Sequence, residues 1–233
     1  MSAPSRSREA CRVFPRGRGI YRTIYYLPYV TSFVAAAAIF FWVFHPTYGL
    51  VNDLVGVFGI GPQRWLDEPR GIFELAGSAI GATLPAWLAG PSLALVVLSL
   101  VTIWHFLGYQ IVIFLAGLSN ISNEYYEAAR LDGASERQLF TKITLPLLSP
   151  TTFFVFTVAS IGVLRSFDSV YVLTGGTGGP LDTTRTVTLL VFKTAFQQAQ
   201  FGLGAALAFI LTMIILLFTL IQFRILGRRV FYG

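Results

Sequence analysis

Long apolar runs separated by shorter polar segments dominate the pattern of this chain. Four runs cover residues 23–44, 93–118, 147–173 and 203–223. Each is about 20 residues or longer, the length that an α-helix needs to cross the hydrocarbon core of a bilayer. The pattern therefore predicts an all-α, polytopic integral membrane protein with about four transmembrane helices.

The first and second predicted spans are joined by a long segment, residues 45–91, that is rich in Gly and Pro. Its four carboxylates outnumber its two arginines, so its net charge is −2. The apolar stretch at 76–90 is too short, and too often interrupted by Gly and Pro, to cross a membrane. We predict that this stretch lies on the membrane surface or forms a re-entrant piece.

Composition supports a membrane protein. Charged residues make up 12% of the chain, and the mean hydropathy is +0.67, whereas soluble proteins carry about 25% charged residues. The net charge of +6 is concentrated at the chain ends, beside apolar runs. This distribution does not favour nucleic-acid binding, which needs a basic face on a soluble domain. The single cysteine, Cys11, cannot form a disulfide within the chain.

Charge also predicts the orientation, because loops on the cytoplasmic side carry an excess of Lys and Arg. The basic tail at residues 1–20 and the arginines after residue 223 are then cytoplasmic. With four spans, the acidic segment 45–91 and the loop 174–201 lie outside, and the segment 119–146 lies inside. We therefore expect a multi-pass protein of the cytoplasmic membrane with both termini in the cytoplasm.

The segment between the second and third spans is unusually polar: seven of the chain's 28 charged residues lie between Glu124 and Lys142. Asn123 is a suitable N-cap for a helix, and Gly133 suits the left-handed position after its end. Ser135 and Gln138 have the spacing of a capping box that begins a second helix. The residues alone leave two functions open, an ordinary amphipathic loop and a rigid docking element for a partner protein.

The sequence "EAARLDGASERQLFTKITLP" in this segment resembles the EAA motif of the membrane subunits of ABC importers. Its fixed positions are all present: Glu127, Ala128, Ala129, Gly133, Ile143, Leu145 and Pro146. Four other stretches resemble the sugar and glycerol-phosphate class of these permeases: "YRTIYYLPYVTS" (21–32), "IWHFLGYQIVIFLAGLSNI" (103–121), "FDSVYVLTGGTGGP" (167–180) and "AFQQAQFGLGAALAFIL" (195–211).

The resemblance implies that residues 21–230 form the transmembrane domain of an importer for a carbohydrate-like solute. It implies that the loop 119–146 is a coupling helix for a separate ATPase, with these residues at the contact: Glu127, Ala128, Ala129, Asp132, Gly133, Ile143, Leu145 and Pro146. The implied partners are an ATP-binding subunit dimer that holds ATP and Mg, a second permease subunit, an extracytoplasmic solute-binding protein and membrane lipid. The chain itself would carry no cofactor.

Members of this class usually have six spans, and the two that would precede Tyr21 are not recognised here. We expect a late start assignment, a truncated gene or a natural short form. Two alternatives to an importer subunit therefore stay open. One is a non-transporting fragment that only scaffolds partner subunits, and the other is a secondary carrier.

Several polar residues in the predicted spans are candidates for a solute path, because such groups usually face a bundle interior or a watery cavity. Arg165 and Asp168 are spaced to share one helix face near the predicted outer end, where an ion pair at the interface is the alternative. His105, Tyr109 and Gln110 follow one another along the second span, where ordinary helix packing is the alternative.

Catalytic chemistry has little support in the sequence. The glycine-rich stretch at 175–180 lacks the Lys and Ser/Thr of a phosphate-binding loop and does not open a helix after a strand. No metal-binding or nucleophile–base pattern is visible. We therefore predict a transport subunit without enzymatic activity, without a metal and without a nucleic-acid partner.

Overall fold

The computed structural model describes residues 18–59, 61–79, 81 and 85–227. Residues 1–17 of the predicted basic tail (1–20) lie outside these ranges, and so do Arg228 and Arg229. The described residues are largely helical and contain no β-strand, only an isolated bridge between Gly71 and Ser92. The all-α prediction is confirmed.

The α-helices are α1 (Arg18–Val30), α2 (Phe33–Val43), α3 (Leu50–Val57), α4 (Ile72–Ala79), α5 (Leu93–Ser119), α6 (Asn123–Leu131), α7 (Glu136–Leu139), α8 (Leu145–Leu147), α9 (Ser149–Leu164), α10 (Asp168–Leu173), α11 (Val187–Phe192) and α12 (Phe201–Ile225). Short 3₁₀ turns occupy Trp65–Asp67, Ala86–Leu88 and Pro180–Asp182. Short π-helices occupy Phe140–Thr144 and Lys193–Gln197.

Within the described ranges, two uninterrupted helices are long and apolar enough to cross a membrane. They are α5, with 27 residues, and α12, with 25 residues. They match the predicted spans 93–118 and 203–223. Ser92 is the N-cap of α5, because its hydroxyl accepts a hydrogen bond from the Leu95 amide at 3.2 Å.

The predicted span 23–44 is not one helix. Its first part, Thr23–Val30, and α2 meet at an angle of 98°. Pro28, predicted near the start of the span, lies instead in the last turn of α1, which begins at Arg18. A proline lacks an amide donor and crowds the preceding turn, which favours a break. The helix ends two residues later.

The predicted span 147–173 is also wrong as a single helix. The chain runs helically from Glu136 to Leu147, bends by 58° and continues as α9, which ends at Leu164. Pro146, predicted to close the loop, therefore lies inside the helix before the bend. Pro150 has no amide to donate to the Pro146 carbonyl, which instead accepts from the Ser149 hydroxyl at 2.6 Å. Four spans result only if each bent pair counts as one crossing.

The buried core lies where α2, α5, α10 and α11 meet. Leu173 and Leu189 are completely buried there, and Val97, Val101 and Val170 are nearly so. This packing fixes the short helices α10 and α11 against the first part of α5. By contrast, large apolar side chains of α12 are widely exposed, as expected of a surface that meets lipid or other transmembrane helices.

The acidic connection folds back on the start of α5, where the Ile72 amide donates to the Pro91 carbonyl at 3.0 Å. Within it, Glu68 is buried and forms an ion pair with Arg70 at 2.7 Å. The hydrogen bond from the Arg70 guanidinium lowers the pKa of the Glu68 carboxyl below its ordinary value. The predicted surface-lying stretch at 76–90 contains the end of α4 and a 3₁₀ turn, and part of it lies outside the described residues.

Candidate functional site

The polar loop begins with α6, and its N-cap is Ser122. The Ser122 side chain accepts a hydrogen bond from the Glu124 amide at 3.3 Å. The prediction of Asn123 as the cap is wrong by one residue, because Asn123 already has helical geometry. Serine and asparagine are both common N-cap residues, so the sequence alone could not show which of the two is the cap. Glu124 lies in the first turn, where the helix dipole favours a carboxylate.

Gly133 ends α6 as predicted, with a φ of +79°. Its amide donates to the Arg130 carbonyl at 3.1 Å, and the Ala134 amide donates to the Ala129 carbonyl at 2.9 Å. These two bonds are those of a Schellman motif, in which the left-handed residue satisfies the last carbonyls of a helix. The motif turns the chain sharply into the next helix.

The second helix starts with the predicted capping box, in which the Gln138 side chain accepts from the Ser135 amide at 2.8 Å. A hydrogen bond of 3.0 Å between the Tyr126 and Thr144 hydroxyls links the two helices. Arg130 and Glu136 add an ion pair at 3.2 Å, but both side chains are exposed, so it contributes little to stability. These contacts hold α6 in a fixed orientation to the helix that leads into α9.

One face of α6 projects away from the rest of the chain. Glu127 and Ala128 are exposed, and Leu131 is 89% exposed. They are spaced by three and four residues, so they share one helix face. Ala129 and Tyr126 are half-buried on the opposite side. The exposed face combines an acidic, a very small and an apolar residue.

The predicted coupling residues fall into two groups in the structure. One group lies on α6 and its turn: Glu127, Ala128, Ala129, Asp132 and Gly133. The other lies on the helix that follows: Ile143, Leu145 and Pro146. Sequence reasoning missed Leu131, although its spacing from Glu127 and Ala128 could have indicated it.

The second candidate region surrounds His105 on α5. His105 is 5% exposed and packs edge-on against Phe33, with ring centroids 4.8 Å apart. Tyr109, one turn later, stacks on Tyr29 with centroids 4.7 Å apart, and Tyr29 also contacts His105. The structure therefore joins His105 and Tyr109 through an aromatic cluster that sequence reasoning missed. Gln110 follows on α5 and is half-buried.

Arg165 and Asp168 do not share a helix. Arg165 is the C-cap of α9, and Asp168 is the first residue of α10. The ion pairs formed within the described ranges do not include either residue. The predicted pair on one helix face is therefore wrong, because the backbone leaves the helix at residues 165–167. The Ser166 carbonyl accepts there from the Thr186 hydroxyl at 3.0 Å.

Arg165 lies in a cleft of about 430 Å³ formed by α9, α11 and α12. The cleft is lined by Ile161, Arg165, Thr188, Val191, Ala208, Leu211, Thr212 and Ile215. The residues contributed by α12 come from the middle of that helix. Arg165 thus shares a cleft with residues from the middle of α12. Its predicted position near the outer end of the third span stays a prediction.

Comparison with known proteins gives the family of the chain. A family described as "Binding-protein-dependent transport system inner membrane component" matches residues 10–232. A probable ABC transporter permease protein of Bacillus subtilis, YesP, is 37% identical over 209 residues, which cover 90% of this chain and 60% of the relative. The lactose transport system permease protein LacF of Rhizobium radiobacter is 32% identical, covering 89% of this chain and 63% of the relative.

A solved structure agrees in fold. A bacterial alginate ABC transporter, solved in complex with an alginate pentasaccharide-bound periplasmic protein, has a chain that matches with a TM-score of 0.73. The match covers 95% of this chain and 69% of that chain at 22% identity, so it shows the fold alone. This chain spans 60% and 63% of the length of the two relatives above. The family match covers almost the whole sequence, and the chain belongs to the binding-protein-dependent transport system inner membrane components.

Proposed function

We propose that this chain is a permease subunit of an ATP-driven importer that moves a carbohydrate, a polyol or a glycerol-phosphate-like solute across the cytoplasmic membrane. The names of the lactose permease of Rhizobium radiobacter and of the alginate transporter support a carbohydrate solute. The chain would not be an enzyme. ATP and Mg would be bound by a separate subunit.

The exposed face of α6 carries this proposal. A short helix that carries Ala128 and Leu131 on its outer face can fit into a cleft of a partner protein, because the small alanine lets the two backbones approach each other closely. Glu127 adds a charged contact in that cleft. The Schellman turn and the Tyr126–Thr144 hydrogen bond fix α6 to the helix Glu136–Leu147. A movement of the docked helix would then be transmitted to α9, and so to the solute path.

The proposed assembly contains a dimer of ATP-binding subunits on the cytoplasmic side, next to α6. A second permease subunit, different from this chain or identical to it, would cover part of the exposed apolar surface. A solute-binding protein would deliver the solute to the outer loop 174–201, and the periplasmic protein bound to the alginate transporter supports this partner. Both termini of the chain would be cytoplasmic.

The proposed solute path uses the polar groups within the helices. His105, Tyr109 and Gln110 would contribute from α5, and Arg165 and Asp168 from the break between α9 and α10. Aromatic rings suit the faces of sugar rings, and polar groups suit their hydroxyls. His105 is the most buried of the five residues, so we expect it to act by orienting Tyr29 and Tyr109.

Co-purification of the ATPase tests this proposal. The chain and its ATP-binding subunit are solubilised in detergent, and the ATPase recovered with wild type is compared with that recovered with Glu127→Lys. Asp53→Lys is the matched control, since Asp53 is exposed on the predicted outer side. We expect recovery with wild type and with the control, and loss with Glu127→Lys. Absence of the ATPase from all samples would contradict the proposal.

A further inference from the structure

Arg165 is an exposed charged residue whose neighbours in the cleft are mostly aliphatic. No ion pair or hydrogen bond of its guanidinium is formed with the described residues. It lines the cleft together with Ala208, Leu211 and Thr212, which come from the middle of α12. A lone charge within a membrane-spanning region is costly, so such residues usually face a watery cavity and mark a solute or ion path.

The position of Arg165 at a helix end explains how its positive charge is tolerated without a bound anion. It caps the C-terminal end of α9, where the helix dipole is negative and favours a cation. The side chain is also exposed in this chain, so the protein does not seal it in. The helix dipole is not a full counter-charge, and the described lining of the cleft contains no carboxylate.

Two threonines in the lining can hydrogen-bond a sugar, and the other five side chains beside Arg165 are aliphatic. The Thr188 hydroxyl is buried and has no hydrogen-bond partner within the described ranges. The Thr212 hydroxyl donates to the Ala208 carbonyl at 2.9 Å, which leaves its oxygen able to accept. The volume of about 430 Å³ is within the range of roughly 300–1,000 Å³ typical of small-molecule sites.

We propose that this cleft binds the anionic group of an acidic carbohydrate, a carboxylate or a phosphate, through Arg165. A guanidinium binds either group with two parallel hydrogen bonds, which gives both strength and orientation. Thr188 then hydrogen-bonds a hydroxyl of the same solute. The inference rests on the proposed importer function and narrows its substrate class, which was a carbohydrate, a polyol or a glycerol-phosphate-like solute, to the negatively charged solutes among these.

Uptake selectivity tests this inference in cells that contain the complete transporter. The probes are a pool of neutral and acidic oligosaccharides from hydrolysed plant cell wall, supplemented with trehalose and trehalose 6-phosphate. Depletion of each solute is followed by mass spectrometry with and without the chain. We expect depletion of an acidic or phosphorylated solute, slowed on the order of tenfold or more by Arg165→Gln and less by Arg165→Lys.

Three variants separate this role from a structural one. Arg224→Gln removes an arginine at the far end of α12 and should leave uptake unchanged. Thr188→Val removes only a hydroxyl and should slow uptake of the same solute while the complex stays assembled. One combination of results would overturn the inference. In it, Arg165→Gln causes loss of the chain or of its second permease subunit from the membrane, while Thr188→Val imports the solute normally. Arg165 would then pair with a partner subunit and not with the solute.

The remaining outcomes distinguish this inference from the proposed function. Depletion of neutral solutes alone, unaffected by Arg165→Gln, would overturn the inference and leave the importer function intact. Absence of any chain-dependent uptake from the pool would overturn both.

Discussion

Gly133 adopts a left-handed backbone conformation, with a φ of +79°. No neighbouring atom lies within 4 Å of the position that a β-carbon would occupy. A replacement therefore meets no steric obstacle, and its cost comes from the backbone conformation alone, about 1–2 kcal/mol for an ordinary residue. This role is entirely local, and for that reason the sequence could predict it.

Replacement of Gly133 by proline should uncouple transport without preventing membrane insertion. Proline cannot adopt a positive φ, and it removes the amide that donates to the Arg130 carbonyl. Gly133→Asn is the matched control, since asparagine tolerates the left-handed region. Solute uptake, normalised to the amount of chain in the membrane, should fall with proline and stay near wild type with asparagine. Full uptake by the proline variant would show that the turn is not needed for coupling.

The Glu68–Arg70 pair predicts a dependence of stability on pH. Because Arg70 lowers the pKa of Glu68 in the folded state, the pair stabilises the fold above the ordinary carboxyl value of 4.5. That stability is lost as the pH falls through the lowered pKa. Thermal unfolding of the detergent-solubilised complex should show wild type more stable than Glu68→Gln at pH 7, with the difference shrinking below pH 4.5. A difference that is constant with pH would exclude this linkage.

At the scale of elements, the breaks between helices determine the positions of the polar residues predicted to line a solute path. The apolar character of residues 23–44 and 147–173 was visible in the sequence. Their breaks were not, because hydropathy reports how apolar a segment is and not the direction of its backbone. Pro28 and Pro146 were visible signals, but a proline is compatible with a helix start, a kink or an end. In the folded chain, α10 packs against α2 and α5, which are contacts between distant segments that hydropathy does not report.

The contact between α1 and α5 depends on Gly108. A β-carbon at Gly108 would overlap the backbone carbonyl of Tyr25, so the two helices could not approach as closely. We expect Gly108→Ala to destabilise the chain by about 1–3 kcal/mol or more. Gly162→Ala is the control, because nothing lies within 4 Å of its β-carbon position. Membrane abundance and the thermal midpoint in detergent should fall for Gly108→Ala alone, and equal values for both variants would refute this packing role.

At the scale of the whole molecule, two exposed surfaces of the described residues bear on assembly. The apolar side chains of α12 are widely exposed along its length, and the face of α6 with Glu127, Ala128 and Leu131 projects from one end. We propose that the apolar surface of α12 meets lipid and a second permease subunit, and that the exposed face of α6 docks on an ATPase. The sequence could predict the α6 loop because its motif is contiguous. It could not predict the cleft at Arg165, which combines three helices distant along the chain.

Site-directed cross-linking tests the docking of α6 on an ATPase most directly. The native Cys11 is replaced by serine, and single cysteines are placed at Ala128, at Leu131 and, as a control, at Leu139, which is 2% exposed. A short bifunctional cross-linker is applied to membranes that contain the assembled transporter. We expect adducts with the ATP-binding subunit from positions 128 and 131 and none from position 139. Failure of both exposed positions to form that adduct, in a complex that still imports its solute, would contradict the docking of α6 on an ATPase.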